Sequence, residues 1–129
     1  MVGLLSRSAG AALGLLAATL LAASPALAGD PAHGKAVFSA QCAMCHSSQR
    51  NVSLLGPSLF GVVGRKAGSV VGFAYSPAMK AAGFNWTDDK LRAYLPAPKT
   101  VVPGTRMTYA GLKNPSQLDD LVAYLDTLK

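Results

Sequence analysis

Cys42-Ala43-Met44-Cys45-His46 is the stretch from which the rest of this chain is read. Two cysteines separated by two residues, with a histidine directly after the second, form the attachment pattern of a c-type haem. The thiols add across the porphyrin vinyl groups and become thioethers, and the two-residue gap lets both sulfurs reach one ring edge. The imidazole that follows falls under the iron and ligates it. A thioredoxin-like redox pair and half a zinc site are the rival readings of C-x-x-C. Outside the motif, however, His33 is the only further histidine or cysteine, and no strand–helix pattern precedes Cys42. The motif predicts one covalent haem c on Cys42 and Cys45, with His46 as an iron ligand.

Upstream of the motif, residues 1–28 read as a secretory leader. Arg7 gives a positive start, Ala9 to Ala23 is an apolar run broken only by Thr19, and Pro25 precedes the small-residue site Ala26-Leu27-Ala28. The apolar run falls short of the roughly 20 residues that span a bilayer. Cleavage after Ala28 is expected, leaving residues 29–129 as a single domain exported to a bacterial periplasm. A domain of that size is marginal on its own core, and a buried haem supplies apolar bulk. With both cysteines committed to haem, no disulfide is expected even in an oxidising compartment.

The whole chain carries 12 Lys and Arg against 6 acidic residues, all of them Asp, for a net charge of +6. Loss of Arg7 with the leader leaves 11 basic residues against 6, or +5. The positive charges are scattered rather than clustered, with no interleaved aromatic stripe, so nucleic acid is excluded as a partner. The same charge suits electrostatic steering toward acidic proteins.

Along the domain, Asp30-Pro31 reads as a helix cap followed by a first-turn proline. Val37, Phe38 and Gln41 continue that helix into the haem motif. Gly34 weakens it, which a close helix–helix approach would explain. Residues 47–75 are glycine-rich and aperiodic and read as loops. Ser76-Pro77 predicts a short helix to about Ala82, and Thr87-Asp88-Asp89 another that Pro96 stops. Residues 97–113 read as a loop. Asn114-Pro115 opens the last helix, whose Leu118, Leu121, Val122, Leu125 and Leu128 recur at helical spacing. The expected fold is all-α, a few helices and Gly/Pro-rich loops wrapped around one haem.

The second iron ligand separates electron carriage from ligand chemistry. Met44 is held between the cysteines and cannot reach the far face, and His33 reads as a surface residue. Met79 and Met107 remain. Met107 lies in Pro103-Gly104-Thr105-Arg106-Met107, a stiffened loop suited to presenting a side chain. Met79 sits in a predicted helix, where methionine usually fills core space. The residues alone favour Met107 and leave Met79 open.

The whole of residues 30–129 resembles a class I cytochrome c of the mitochondrial and short bacterial kind. The resemblance runs through Gly34 and Phe38, the haem motif, Gly56-Pro57-Ser58-Leu59, Gly64-Arg65-Lys66 and Gly72-Phe73-Ala74-Tyr75. It continues through Trp86, Leu91 to Leu95, Pro103 to Met107 and Leu121 to Leu125. It implies the cytochrome c fold, with Met107 as the axial methionine. It implies that the Pro57 carbonyl orients His46, that Tyr94 tunes the methionine sulfur, and that Arg65, Tyr75, Trp86 and Thr105 surround the haem propionates. It also implies that Gly34 lets the first helix cross the last near Tyr124. Departures are visible: Met79 stands where many mitochondrial members have asparagine, the loop from His46 to Gly56 is one residue shorter, and Gln41 and Thr100 replace lysines at the haem edge. Lys35, Lys99, Arg106 and Lys113 remain as docking charges.

The function these readings imply is a soluble, monomeric, monohaem electron carrier rather than an enzyme. Its His/Met-ligated iron would cycle between Fe(III) and Fe(II). Its donor would be a quinol-cytochrome c oxidoreductase or a dehydrogenase, and its acceptor an oxidase, a reductase or a reaction centre. The alternatives are a small haem enzyme or sensor of peroxidase type with a displaceable sixth ligand, and a membrane-tethered subunit of a larger complex.

Overall fold

A computed structural model describes Gly3 and residues 29–129; the rest of the predicted leader and its cleavage site lie outside the described residues, save Gly29 on the mature side. Five helices follow one another: α1 (Pro31–Gln41), α2 (Pro77–Lys80), α3 (Asp88–Tyr94), α4 (Pro98–Val101) and α5 (Pro115–Asp126). No β-sheet forms among the described residues, where the only ladder pairing is two isolated bridges, His46 with Ser53 and Lys66 with Asn85. The fold is all-α, as expected.

The helix starts follow local chemistry. The Asp30 carboxylate accepts the Ala32 N–H at 2.8 Å, the Thr87 hydroxyl accepts from Lys90 at 3.1 Å, and the Asn114 side chain accepts from Gln117 at 3.1 Å. Each satisfies an N–H that the helix itself cannot pair, and proline at the first position of α1, α2, α4 and α5 has no such N–H to satisfy.

The frame is the crossing of α1 and α5. A Cβ placed on Gly34 would lie 1.9 Å from the Asp120 carbonyl oxygen and 2.7 Å from the Tyr124 Cβ, so only glycine fits there. One turn on, the Phe38 and Tyr124 rings meet at 5.4 Å. Leu121, Val122 and Leu125 of α5 are buried behind them, each such side chain contributing about 1.5–3 kcal/mol. Arg92 of α3 donates to Asp119 of α5 at 3.0 Å and ties the third helix to the pair.

Two expectations need correction. The 97–113 segment is not all loop: Pro98 opens the single turn α4, with Val101 N–H bonded to the Ala97 carbonyl at 3.2 Å. Pro98 counts as a helix breaker in a Pro/Gly count, yet at the first helical position it is favourable. The second helix ends at Lys80, before Ala82, its last amides turning back to Pro77 and Met79.

The long 47–75 segment is held by scattered backbone bonds, such as Gly64 N–H to the Trp86 carbonyl at 2.6 Å and Ala67 N–H to the Phe84 carbonyl at 2.9 Å, and by side chains. Ser58, which is buried, donates to the Gln49 carbonyl at 2.6 Å and accepts from Phe60 at 3.1 Å. Arg65 reaches back to the Phe60 carbonyl at 2.9 Å. These bonds place Pro57 and Arg65 on the cofactor side of the loop.

Candidate functional site: a haem cavity

Helices and loops enclose a largely apolar cavity of about 400 Å³, within the roughly 300–1,000 Å³ typical of cofactor sites. Cys42, Cys45, His46 and Met107 line it, and so do Pro57, Arg65, Tyr75, Trp86, Tyr94 and Thr105. Met44 points away and is 87% exposed, which removes it as an interior ligand. His33 is on the surface beside Asp30.

The end of α1 delivers the haem motif. The chain turns after Gln41, with His46 N–H on the Cys42 carbonyl at 2.9 Å. The His46 Nδ1 meets the Pro57 carbonyl oxygen at 2.7 Å. A carbonyl only accepts, so Nδ1 carries the hydrogen and Nε2 keeps its lone pair for a metal. Gly56 makes this possible: a Cβ there would lie 2.4 Å from the imidazole Cε1. Burial holds the His46 pKa below the ordinary imidazole value, against the opposing pull of the Pro57 bond, which favours the neutral, ligating form. Burial, and then Cys45 beside it, push the uncombined Cys42 thiol up to about 11. It is therefore S–H, not thiolate, at neutral pH.

Met107 is held by a closed circuit of hydrogen bonds. Its N–H donates to Thr105 Oγ1 at 3.2 Å. The Tyr94 hydroxyl donates to the Met107 sulfur at 3.3 Å and lies 3.5 Å from Thr105 Oγ1. Since Tyr94 has one hydroxyl hydrogen and spends it on sulfur, the Thr105 hydroxyl is the donor in the remaining contact. Burial raises the Tyr94 pKa, so the phenol keeps that hydrogen. Met79 also lines the cavity, from α2, but the O–H···S contact falls on Met107.

On another wall, the Arg65 Nε is fully buried and has no hydrogen-bond partner among the described residues. A buried guanidinium N–H without an acceptor is costly, and the cavity is where an acceptor could stand. The Tyr75 hydroxyl accepts from Val70 N–H at 3.1 Å and can donate its own hydrogen elsewhere. Trp86 stacks edge-on against Tyr94 at 4.7 Å and Phe84 at 4.8 Å. Two sulfurs, an imidazole, a thioether, apolar walls and a guanidinium whose Nε–H lacks an acceptor, suited to a propionate, together fit a haem.

Two residues at the rim were not singled out by the sequence as a pair. Tyr109 donates its hydroxyl to the Gln41 side-chain oxygen, joining positions far apart in the chain. No local pattern announces such a bond.

The family profile described as cytochrome c matches residues 31–129. The chain is 46% identical to a cytochrome c of Euglena viridis over 78% of its length and 99% of the relative's. It is 45% identical to a cytochrome c2 of Rhodopila globiformis, over 78% of its length and 95% of that protein's. A solved structure of cytochrome cH from Methylobacterium extorquens superposes with a TM-score of 0.71 at 43% identity, covering 77% of this chain and 99% of that one. The chain belongs to the cytochrome c family, electron carriers with one covalently attached haem c that exchange electrons with protein partners.

Proposed function

We propose that this chain is a periplasmic one-electron carrier whose haem iron is ligated by His46 and Met107. When bound, the haem supplies one-electron Fe(III)/Fe(II) chemistry. The observation that carries the reading is the Tyr94 O–H···S bond to Met107 in a cavity whose wall also bears His46 held by Pro57.

Each residue has a task in this reading. Cys42 and Cys45 anchor the cofactor covalently. Pro57 fixes the His46 ring and makes it a better donor to iron. Tyr94 bonds to the Met107 sulfur and draws electron density from it, and Thr105 holds the Tyr94 hydroxyl and the Met107 backbone in place. Arg65, Tyr75 and Trp86 give hydrogen bonds to the propionates. Leu91, Leu95, Leu121 and Leu125 line the cavity and keep water out. Ligands fixed this firmly need little rearrangement when the charge on the iron changes, which favours fast electron exchange.

Export rests on the leader read in residues 1–28, with the mature chain beginning at Gly29. Donor and acceptor are read as respiratory or photosynthetic redox proteins with acidic docking faces.

The ferric absorption spectrum of the holoprotein tests the ligand set. A methionine–iron charge-transfer band at the red edge is expected. A high-spin spectrum without that band would overturn the carrier reading in favour of an open-site haem enzyme or sensor.

A further inference from the structure

We infer that Gln41 and Tyr109 are positioning residues for the sixth ligand: their hydrogen bond clasps the Met107 loop to the cysteine side of the haem cavity and sets how readily Met107 leaves the iron. The inference rests on Met107 being that ligand.

Few polar contacts hold the Met107 loop. After α4 the chain runs without helix or strand until Pro115. Thr105 N–H bonds to the Val102 carbonyl, and Leu112 N–H to Leu95. Between those two anchors, residues 106–111 make no backbone–backbone hydrogen bond among the described residues. Polar attachment of this stretch is left to a few side-chain contacts. Met107 is bonded from below by Tyr94 and back to Thr105. The Arg106 Nη1 donates to the Ala74 carbonyl at 3.3 Å, on the side of the 47–75 segment. Tyr109 bonds to Gln41, the last residue of α1 and the one before the first haem cysteine.

That bond has leverage. Tyr109 is two residues past Met107, no more than about 7 Å of extended chain. Gln41 is fixed by α1, which the Gly34 crossing locks onto α5. Both residues line the cavity, so the bond bridges its two lips. Opening the loop far enough to release the sulfur must break it. The pair is neutral, so its contribution survives changes of salt.

The test uses ferric holoprotein and imidazole as the displacing ligand. The rate at which the methionine–iron band disappears is followed at saturating imidazole, where loop opening limits it. Tyr109→Phe keeps the ring and removes only the hydroxyl; Gln41→Leu removes the acceptor. Each is expected to speed displacement roughly two- to tenfold, the range for loss of one neutral hydrogen bond. The double variant is expected to be no faster than either single one, because both remove the same bond. Gln41→Glu, which keeps an acceptor oxygen, is expected to stay near the original rate. Unchanged rates in the single variants, or effects that multiply in the double, overturn the clasp while leaving Met107 as ligand. A wild-type protein without the methionine band overturns the ligand assignment itself, and the clasp with it.

Discussion

The Tyr94 hydroxyl stands 3.3 Å from the Met107 sulfur and points its only hydrogen there. Thr105 returns the circuit by bonding to both the Tyr94 oxygen and the Met107 backbone. A donor on sulfur withdraws electron density, which favours the ferrous state. Tyr94→Phe keeps the ring between Trp86 and the core and removes only that donor. The midpoint potential is expected to fall by on the order of 20–40 mV, since a hydrogen bond of this kind is worth roughly 0.5–1 kcal/mol and 59 mV is a factor of ten for one electron. Spectroelectrochemistry gives the number. An unchanged or higher potential means that the contact does not tune the iron.

The two methionines of the cavity separate cleanly by substitution. Met107→Ala is expected to abolish the methionine–iron band, lower the potential well beyond the Tyr94→Phe shift, and admit cyanide to the ferric iron and carbon monoxide to the ferrous. Met79 is buried in α2 and reads as packing. Met79→Ala is expected to keep the band and cost about 2–5 kcal/mol of stability. The reverse pattern, band lost with Met79 and kept without Met107, moves the sixth ligand to α2.

Gly34 sets two known effects against each other. Alanine is a better helix former than glycine by about 1 kcal/mol, so propensity alone makes Gly34→Ala stabilising. The added carbon would sit 1.9 Å from a backbone carbonyl of α5, and backbone on both sides cannot swing away as a flexible side chain would. Overpacking of this sort costs about 1–3 kcal/mol, sometimes more. The steric term is expected to win, with a net loss of up to about 2 kcal/mol in denaturant unfolding of the holoprotein. A variant as stable as the parent would mean that the crossing can slide.

What the sequence made legible was local or chemically particular. Asp30-Pro31, Thr87 and Asn114-Pro115 mark their helices because a cap acts on amides two or three residues away. Gly34 announced a close crossing because glycine inside a helix needs a reason. The haem motif and the family resemblance together named Cys42, Cys45, His46, Pro57, Tyr94 and Met107 as parts of one site, and these residues line one cavity. The single turn α4 was hidden because Pro98 stands among other prolines and glycines, where position rather than count decides its effect. The clasp between Tyr109 and Gln41, and the unpaired Nε of Arg65, depend on which distant segments meet. Neither leaves a periodic trace.

The scattered positive charge bears on how the protein finds its partners. The expected mature chain carries +5, and Lys35, Lys99, Arg106 and Lys113 belong to the surface rather than to buried ion pairs. Exposed ion pairs within the molecule, such as Arg92 with Asp119, consume little of that charge. Such a field would draw an acidic partner toward the protein over a distance set by the ionic strength, about 10 Å at 0.1 M salt and about 3 Å at 1 M. Steering acts on encounter, so the bimolecular rate of electron transfer to an acidic partner is expected to fall as salt rises. Electron transfer within a preformed complex should change much less. Stopped-flow kinetics across a salt series, at low and at saturating partner, separate the two. A bimolecular rate indifferent to salt would mean that apolar contact at the rim, where Leu55 is 79% exposed, governs docking in place of charge.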